Sequence, residues 1–110
     1  MSTDIIKILK GLEKIENSLA GTYRHFSERK RFSPQVRKFW EAISEEELRH
    51  AEVFRKIREK IEADPEIDFS IDLEWDQLKK FADQARQVLA EARADDITES
   101  KAYSIGARIE

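Results

Sequence analysis

A chain of 110 residues, 40% of them hydrophobic, suits one domain with a modest core, and we predict a single domain over residues 1–110. The 23 acidic and 20 basic residues are interspersed, so no charge excess indicates nucleic acid or an anionic membrane as a partner. Cysteine is absent, which excludes disulfides and iron–sulfur clusters within this chain. No apolar run approaches the roughly 20 residues of a membrane span, and Met1–Asp4 lacks signal-peptide features, so we expect a cytoplasmic protein.

Three glycines and two prolines in the whole chain favour helix almost everywhere. A first helix is predicted at about 4–28, followed by the short link Arg29–Phe32. Ser33–Pro34 has the pattern of an N-cap with proline at the first helical position, and Asp64–Pro65 the pattern of a stop, which predicts a second helix at 34–63. Because the link is short, the two helices should form an antiparallel hairpin.

A third helix of about 72–93 follows a loop and should carry its apolar residues on one side. Those residues are Trp75, Leu78, Ala82, Ala85 and Leu89. Asp96-Ile97-Thr98-Glu99 has the spacing of a capping box, with an acid three residues after the cap residue Asp96. This pattern predicts a fourth helix from about 97 to the chain end.

Both hairpin helices carry a heptad seam, in which seam residues recur at alternating spacings of four and three. In the first helix the seam is Ile5, Leu9, Leu12, Glu16, Leu19, Tyr23 and Phe26. In the second it is Val36, Trp40, Ile43, Glu47, His50, Phe54, Ile57 and Ile61. Glu16, Glu47 and His50 interrupt these seams. A bare carboxylate in such a position costs on the order of several kcal/mol unless something pairs with it.

The three interruptions should lie at one level of the hairpin. Glu16 lies about 15 residues before residue 31 and Glu47 about 16 after it, which places them side by side in antiparallel helices. Glu47 and His50 are spaced i, i+3 and share one helix face. Two carboxylates and an imidazole at one level predict a shared metal ion.

Other interpretations of these residues exist. Glu-x-x-His alone is a weak signal in an acid-rich chain, and a seam histidine can be a hydrogen-bonded core residue. Glu46 is a rival to Glu47, but it falls off the apolar stripe. His25 also falls off the seam and is expected at the surface. Tyr23 could donate its hydroxyl to a ligand carboxylate, a catalytic role, or serve as a core aromatic.

The segments Glu16–Tyr23, Phe39–Trp40 and Glu45–Glu52 resemble the first half of rubrerythrins and related ferritin-like proteins. In that family a helix with Glu, a small residue and Tyr precedes a helix with Glu-x-x-His-Ala. The resemblance covers about residues 5–62. It implies an all-α ferritin-like fold and a di-iron centre that reacts with oxygen or peroxide, with Glu16 as a terminal or bridging ligand, Glu47 bridging and His50 terminal.

Ferritin-like chains normally contain two such halves, whereas this chain has one complete half. Residues 102–110 echo residues 8–16, so Glu110 would be the counterpart of Glu16, and thus a fourth ligand, in an incomplete second repeat from about 97. Either the chain is a fragment of a longer protein, or two copies pair as a homodimer or a higher homo-oligomer. In the dimer we expect two hairpins to complete a four-helix bundle, with the last two helices outside it or exchanged.

Two functions compete on this basis. The first is a rubrerythrin-like peroxidase or ferroxidase, an oxidoreductase with an external electron donor, although the cysteine-rich module that delivers electrons in rubrerythrins is absent here. The second is a catalytically inactive helical module for interaction or assembly. Zinc or manganese could replace iron, because carboxylate and imidazole ligands do not select iron by themselves.

Overall fold

The computed structural model describes residues 2–64, 66–67, 74–94 and 97–109. Within these ranges the chain forms four helices and no strand, which confirms the all-α prediction. The helices are α1 Ser2–Ser27, α2 Pro34–Ala63, α3 Trp75–Ala92 and α4 Glu99–Ile109. None of them combines the length and apolar character that crossing a lipid bilayer requires.

The second helix of the hairpin begins and ends where the sequence predicts. Ser33 is the N-cap of α2, where its Oγ accepts a hydrogen bond from the Val36 N–H at 3.3 Å, and Pro34 takes the first helical position. Asp64 is the C-cap, while the predicted stop residue Pro65 lies outside the described residues.

The third helix begins later than predicted, and its apolar residues share one side as predicted. It begins at Trp75, where the Gln77 side chain accepts a hydrogen bond from the Glu74 N–H at 3.0 Å; residues 71–73 lie outside the described ranges. Leu78 and Ala85 are buried as expected, but Trp75 is 38% exposed. Its indole lies on the surface under the ammonium of Lys7, at 4.3 Å from the ring centroid, on the same side of the helix as Leu78 and Ala82.

The fourth helix is capped by Thr98, whose Oγ1 accepts a hydrogen bond from the Lys101 N–H at 3.1 Å. The predicted cap, Asp96, lies outside the described residues. Glu99 does not act within its own helix: its carboxylate accepts the Ser33 N–H at 2.7 Å. The free N–H groups and the dipole at the start of α2 attract this carboxylate, and the contact ties α4 to α2.

Contacts between the helix ends define an up-down-up-down arrangement. The hairpin is confirmed, with extensive packing of α1 on α2. α3 packs on α1 and runs in the same direction, since it starts at Lys7 and ends where Arg29 donates to the Ala92 carbonyl at 3.0 Å. α4 then runs back alongside α2, from Ser33 toward Trp40.

The chain buries its apolar side chains in two clusters. The larger one lies at the link end and draws on all four helices and the link. It comprises Leu19, Tyr23, Phe26, Phe32, Trp40, Ala85, Val88, Ala92, Ile97, Ala102 and Ile105. The smaller cluster, Ile5, Leu9 and Ile61, lies at the opposite end of the hairpin. The expectation that the last two helices lie outside the bundle was wrong, because their apolar faces pack against the hairpin of the same chain. Their exchange between two copies stays a prediction.

Candidate metal centre

The structure brings Glu16, Glu47 and His50 together between the two apolar clusters. The Nδ1 atom of His50 lies 3.8 Å from Oε2 of Glu16 and 3.7 Å from Oε2 of Glu47. One ligand atom from each residue falls within 4.8 Å of the others. The side chains of Glu16 and Glu47 are only 19% and 10% exposed, whereas that of His50 is 50% exposed.

Two interhelical contacts fix the register that makes this convergence possible. One turn toward the link, the Ser44 hydroxyl donates to the Ala20 carbonyl at 2.8 Å in the core. On the other side of the site, Arg58 of α2 donates to the Glu13 carboxylate of α1 at 3.2 Å, with both side chains about one-fifth exposed. A slip of one residue at either contact would turn Glu47 away from Glu16.

The two carboxylates of the group lie close together and are not fully neutralised by a positive charge among the described residues. Burial, followed by the neighbouring Glu16 carboxylate, raises the pKa of Glu47 to about 8, and His50 lowers it only partly. Oε2 of Glu16 is itself buried and has no hydrogen-bond donor among the described residues while both carboxylates are ionised. A proton held between the two acids satisfies it, and so does a cation.

The donor set fits a divalent transition metal. Two carboxylates and an imidazole are ligands that iron, manganese and zinc all accept, and the orphaned Glu16 oxygen is an acceptor aimed into the group. His50 is held on the same helix face as Glu47, as the i, i+3 spacing predicts. The three residues meet as predicted; that they ligate a metal stays a prediction.

The remaining candidates lie in different places. Glu46 is exposed and outside the group, so Glu47 is the carboxylate that the fold turns inward. His25 is partly buried rather than at the surface, and burial followed by Arg29 lowers its pKa. Tyr23 is buried in the larger cluster at 1% exposure. Glu110 lies outside the described residues.

A cavity of about 340 Å³ opens beside the group, between α2 and α4. Its wall combines site residues with aromatic and small ones, namely Tyr23, Phe39, Trp40, Ile43, Glu46, Glu47, His50, Tyr103, Gly106 and Ala107. Tyr103 could not be predicted in this wall, because it lies on a short helix and sequence periodicity does not identify the helix that packs against it. A glycine within a helix can indicate a close contact with another helix, and Gly106 is such a residue. A Cβ at Gly106 would lie 2.9 Å from the Trp40 ring, so α4 and α2 are in contact there.

An up-and-down helical bundle with carboxylates and a histidine facing inward fits a ferritin-like protein. The comparison with protein families agrees: the Rubrerythrin family matches residues 7–104. The chain therefore belongs to the rubrerythrin family. Comparisons with curated proteins and with solved structures find no match.

Proposed function

We propose that this chain is a non-haem iron protein in which Glu16, Glu47 and His50 hold iron, and in which a second copy supplies the other half of a di-iron centre. The observation that carries the proposal is the convergence of the three side chains around a buried, unsatisfied carboxylate oxygen. Iron is preferred over zinc or manganese because rubrerythrins typically bind it. Glu110 is proposed as an additional ligand on the sequence repeat alone.

Bound iron would supply one-electron redox chemistry with dioxygen or hydrogen peroxide as the oxidant. The chain's own residues would prepare the site for it. Glu47 must release its proton before it can ligate, so metal binding should release protons and strengthen as the pH rises toward 8. The adjacent cavity is wide enough to admit a small oxidant. Tyr23 lines this cavity, and we propose that its hydroxyl donates a hydrogen bond to a ligand carboxylate.

Iron binding by matched variants tests this assignment. Glu47→Gln keeps the size of the side chain but removes the charge, and we expect it to lose most of the iron bound by the parent protein. Glu46→Gln makes the same change one residue earlier, on an exposed side chain outside the group. Elemental analysis after anaerobic loading with iron(II) measures both. Equal iron in the two variants would contradict the site.

A second copy is proposed because the group is open on one side. His50 is half exposed, and beside Glu16 an apolar cleft is lined by Leu12, Ile15 and the half-exposed ring of Phe81. A ferritin-like di-iron centre needs a Glu from each of two helices and a Glu-x-x-His from each of two more, which is twice what the described residues provide. Covering the cleft with a second chain would bury these apolar side chains and double the number of ligands.

Sedimentation of two charge variants tests the pairing. Phe81→Glu places a carboxylate in the cleft and should yield monomers. Leu48→Glu is the matched control, because Leu48 is similarly exposed but lies in a polar groove with Arg24 and Glu45. A parent protein that is monomeric in both the metal-free and the iron-loaded form would overturn the symmetric site.

The proposed activity is ferroxidase or peroxidase turnover with an external electron donor. An inactive assembly module is the second candidate, favoured by the exposed rings of Phe39, Phe81 and Tyr103. Iron content separates the two. A protein that assembles normally but takes up no more iron than its Glu47→Gln variant would be the module.

A further inference from the structure

The two tyrosines of the chain both contact the same tryptophan. Tyr23 stacks on Trp40 with ring centroids 5.3 Å apart, and Tyr103 lies 5.6 Å from Trp40, by the centroids. Phe39 stacks on Tyr103 at 5.6 Å and closes the group on the outside. Tyrosine and tryptophan are the side chains that lose single electrons most readily in a chain without cysteine, and here they are contiguous.

The rings differ in their exposure to water, and this difference favours electron transfer from Tyr103 to Trp40. Trp40 is 3% exposed, and its indole N–H is buried without a hydrogen-bond acceptor among the described residues. An indole that loses an electron there keeps its proton and remains a strongly oxidising radical cation. Tyr103 is 49% exposed, so its phenol can release a proton to water when it loses an electron. Tyr23 is 1% exposed, so a proton that its phenol lost would stay within the protein instead of passing directly to bulk water.

The inner end of this group adjoins the candidate metal centre. Trp40 precedes Glu47 by one heptad, about 10 Å along the helix, and lines the same cavity as Glu47 and His50. Tyr103 lines the outer part of that wall. The rings therefore connect the carboxylate–histidine group with the surface.

We infer that Trp40 and Tyr103 form a path for single electrons between the metal centre and the protein surface. The oxidant of the proposed function, on which this inference rests, takes one electron from Trp40. The Trp40 radical cation then takes one electron from Tyr103, whose phenolic proton passes to water. An external one-electron reductant and a proton from water restore the Tyr103 phenol. The path would accept electrons from a donor too large to enter the cavity.

Flash photolysis of the metal-free protein tests the step between the two rings. The Trp75→Phe variant serves as the parent, because Trp40 is then its sole tryptophan. Trp40 can be photoionised at a wavelength that tyrosine does not absorb, and hexaamminecobalt(III) captures the ejected electron. We expect the absorption of the Trp40 radical cation to decay as phenoxyl absorption grows, at a rate independent of protein concentration. Tyr103→Phe should abolish the phenoxyl growth.

Tyr23→Phe is the matched control, because it removes the other tyrosine on the same indole and should leave the growth unchanged. Both substitutions retain the ring, so the fold is preserved, and circular dichroism verifies it. Phenoxyl growth that persists in Tyr103→Phe, or no growth in the parent, would overturn the path. The result is independent of iron binding: failure to load iron would remove the proposed function, whereas a negative flash result in a protein that loads iron would remove only the path.

Discussion

The link end of the bundle and the level of the carboxylate–histidine group differ in how their polar and apolar groups are satisfied. At the link end, four helices of one chain enclose an aromatic core, and Arg29 and Glu99 satisfy helix ends that are not their own. At the ligand level, a buried carboxylate oxygen lacks a donor and His50 is half exposed. The link end therefore stabilises the fold, while the ligand level leaves a polar group that a bound cation could satisfy.

The largest expected effect contrasts a residue from each region. Trp40→Ala removes the ring around which the link-end core is packed and should cost about 3–5 kcal/mol of unfolding free energy in metal-free protein. His50→Ala should change it by less than about 1 kcal/mol, because its side chain is half exposed, while iron binding falls. Urea unfolding followed by circular dichroism measures both. Equal destabilisation would make His50 a structural residue.

Two helical glycines differ in how closely other side chains pack against them. At Gly106 a Cβ would lie 2.9 Å from the rigid Trp40 ring, so Gly106→Ala should destabilise the chain by about 1–3 kcal/mol despite the better helix propensity of alanine. At Gly21 a Cβ would meet nothing within 4 Å, so Gly21→Ala should stabilise by about 0.5–1 kcal/mol. Thermal unfolding of the two variants should shift in opposite directions. A stabilised Gly106→Ala would show that α4 is not seated on Trp40.

The ligand level should reveal itself in the pH dependence of metal-free protein. Burial and the Glu16 carboxylate raise the pKa of Glu47 from 4.5 to about 8 on folding, so the folded chain holds this proton more tightly. The resulting stabilisation is fully present below pH 4.5 and is lost as the pH rises through 8. We expect a fall of about 1–3 kcal/mol across that window, after allowance for screening by water at the open side.

Chemical unfolding at a series of pH values checks this fall. Glu47→Gln should flatten the curve, whereas Glu46→Gln should change it only slightly, because Glu46 makes the smallest contribution to the raised pKa of Glu47. A curve that is flat in the parent would show that the two carboxylates do not compete for a proton in the folded chain.

The smallest effect concerns the tie between α4 and the start of α2. Glu99→Gln keeps an acceptor but removes the charge that faces the Ser33 N–H, and should cost about 0.3–1 kcal/mol. Added salt should reduce the difference from the parent. A variant as stable as the parent at low salt would mean that this contact contributes nothing.

The sequence predicts the hairpin and the meeting of its polar seam residues because both follow from local rules. Heptad spacing, the Ser33–Pro34 start and a short link together determine which residues of α1 and α2 share a level. What it missed depends on contacts between distant segments. The carboxylate of Glu99 accepts the Ser33 N–H, and His50 remains half exposed beside the cavity between α2 and α4.

The Mössbauer spectrum of protein loaded anaerobically with iron-57 and then oxidised shows whether two chains share one di-iron centre. If Glu16, Glu47 and His50 of two chains meet, we expect a spin-coupled pair of iron ions, with about one iron per chain. The same spectrum in Glu47→Gln should lose the coupled signal. Isolated, uncoupled iron in the parent protein, or a coupled signal that survives Glu47→Gln, would contradict the account.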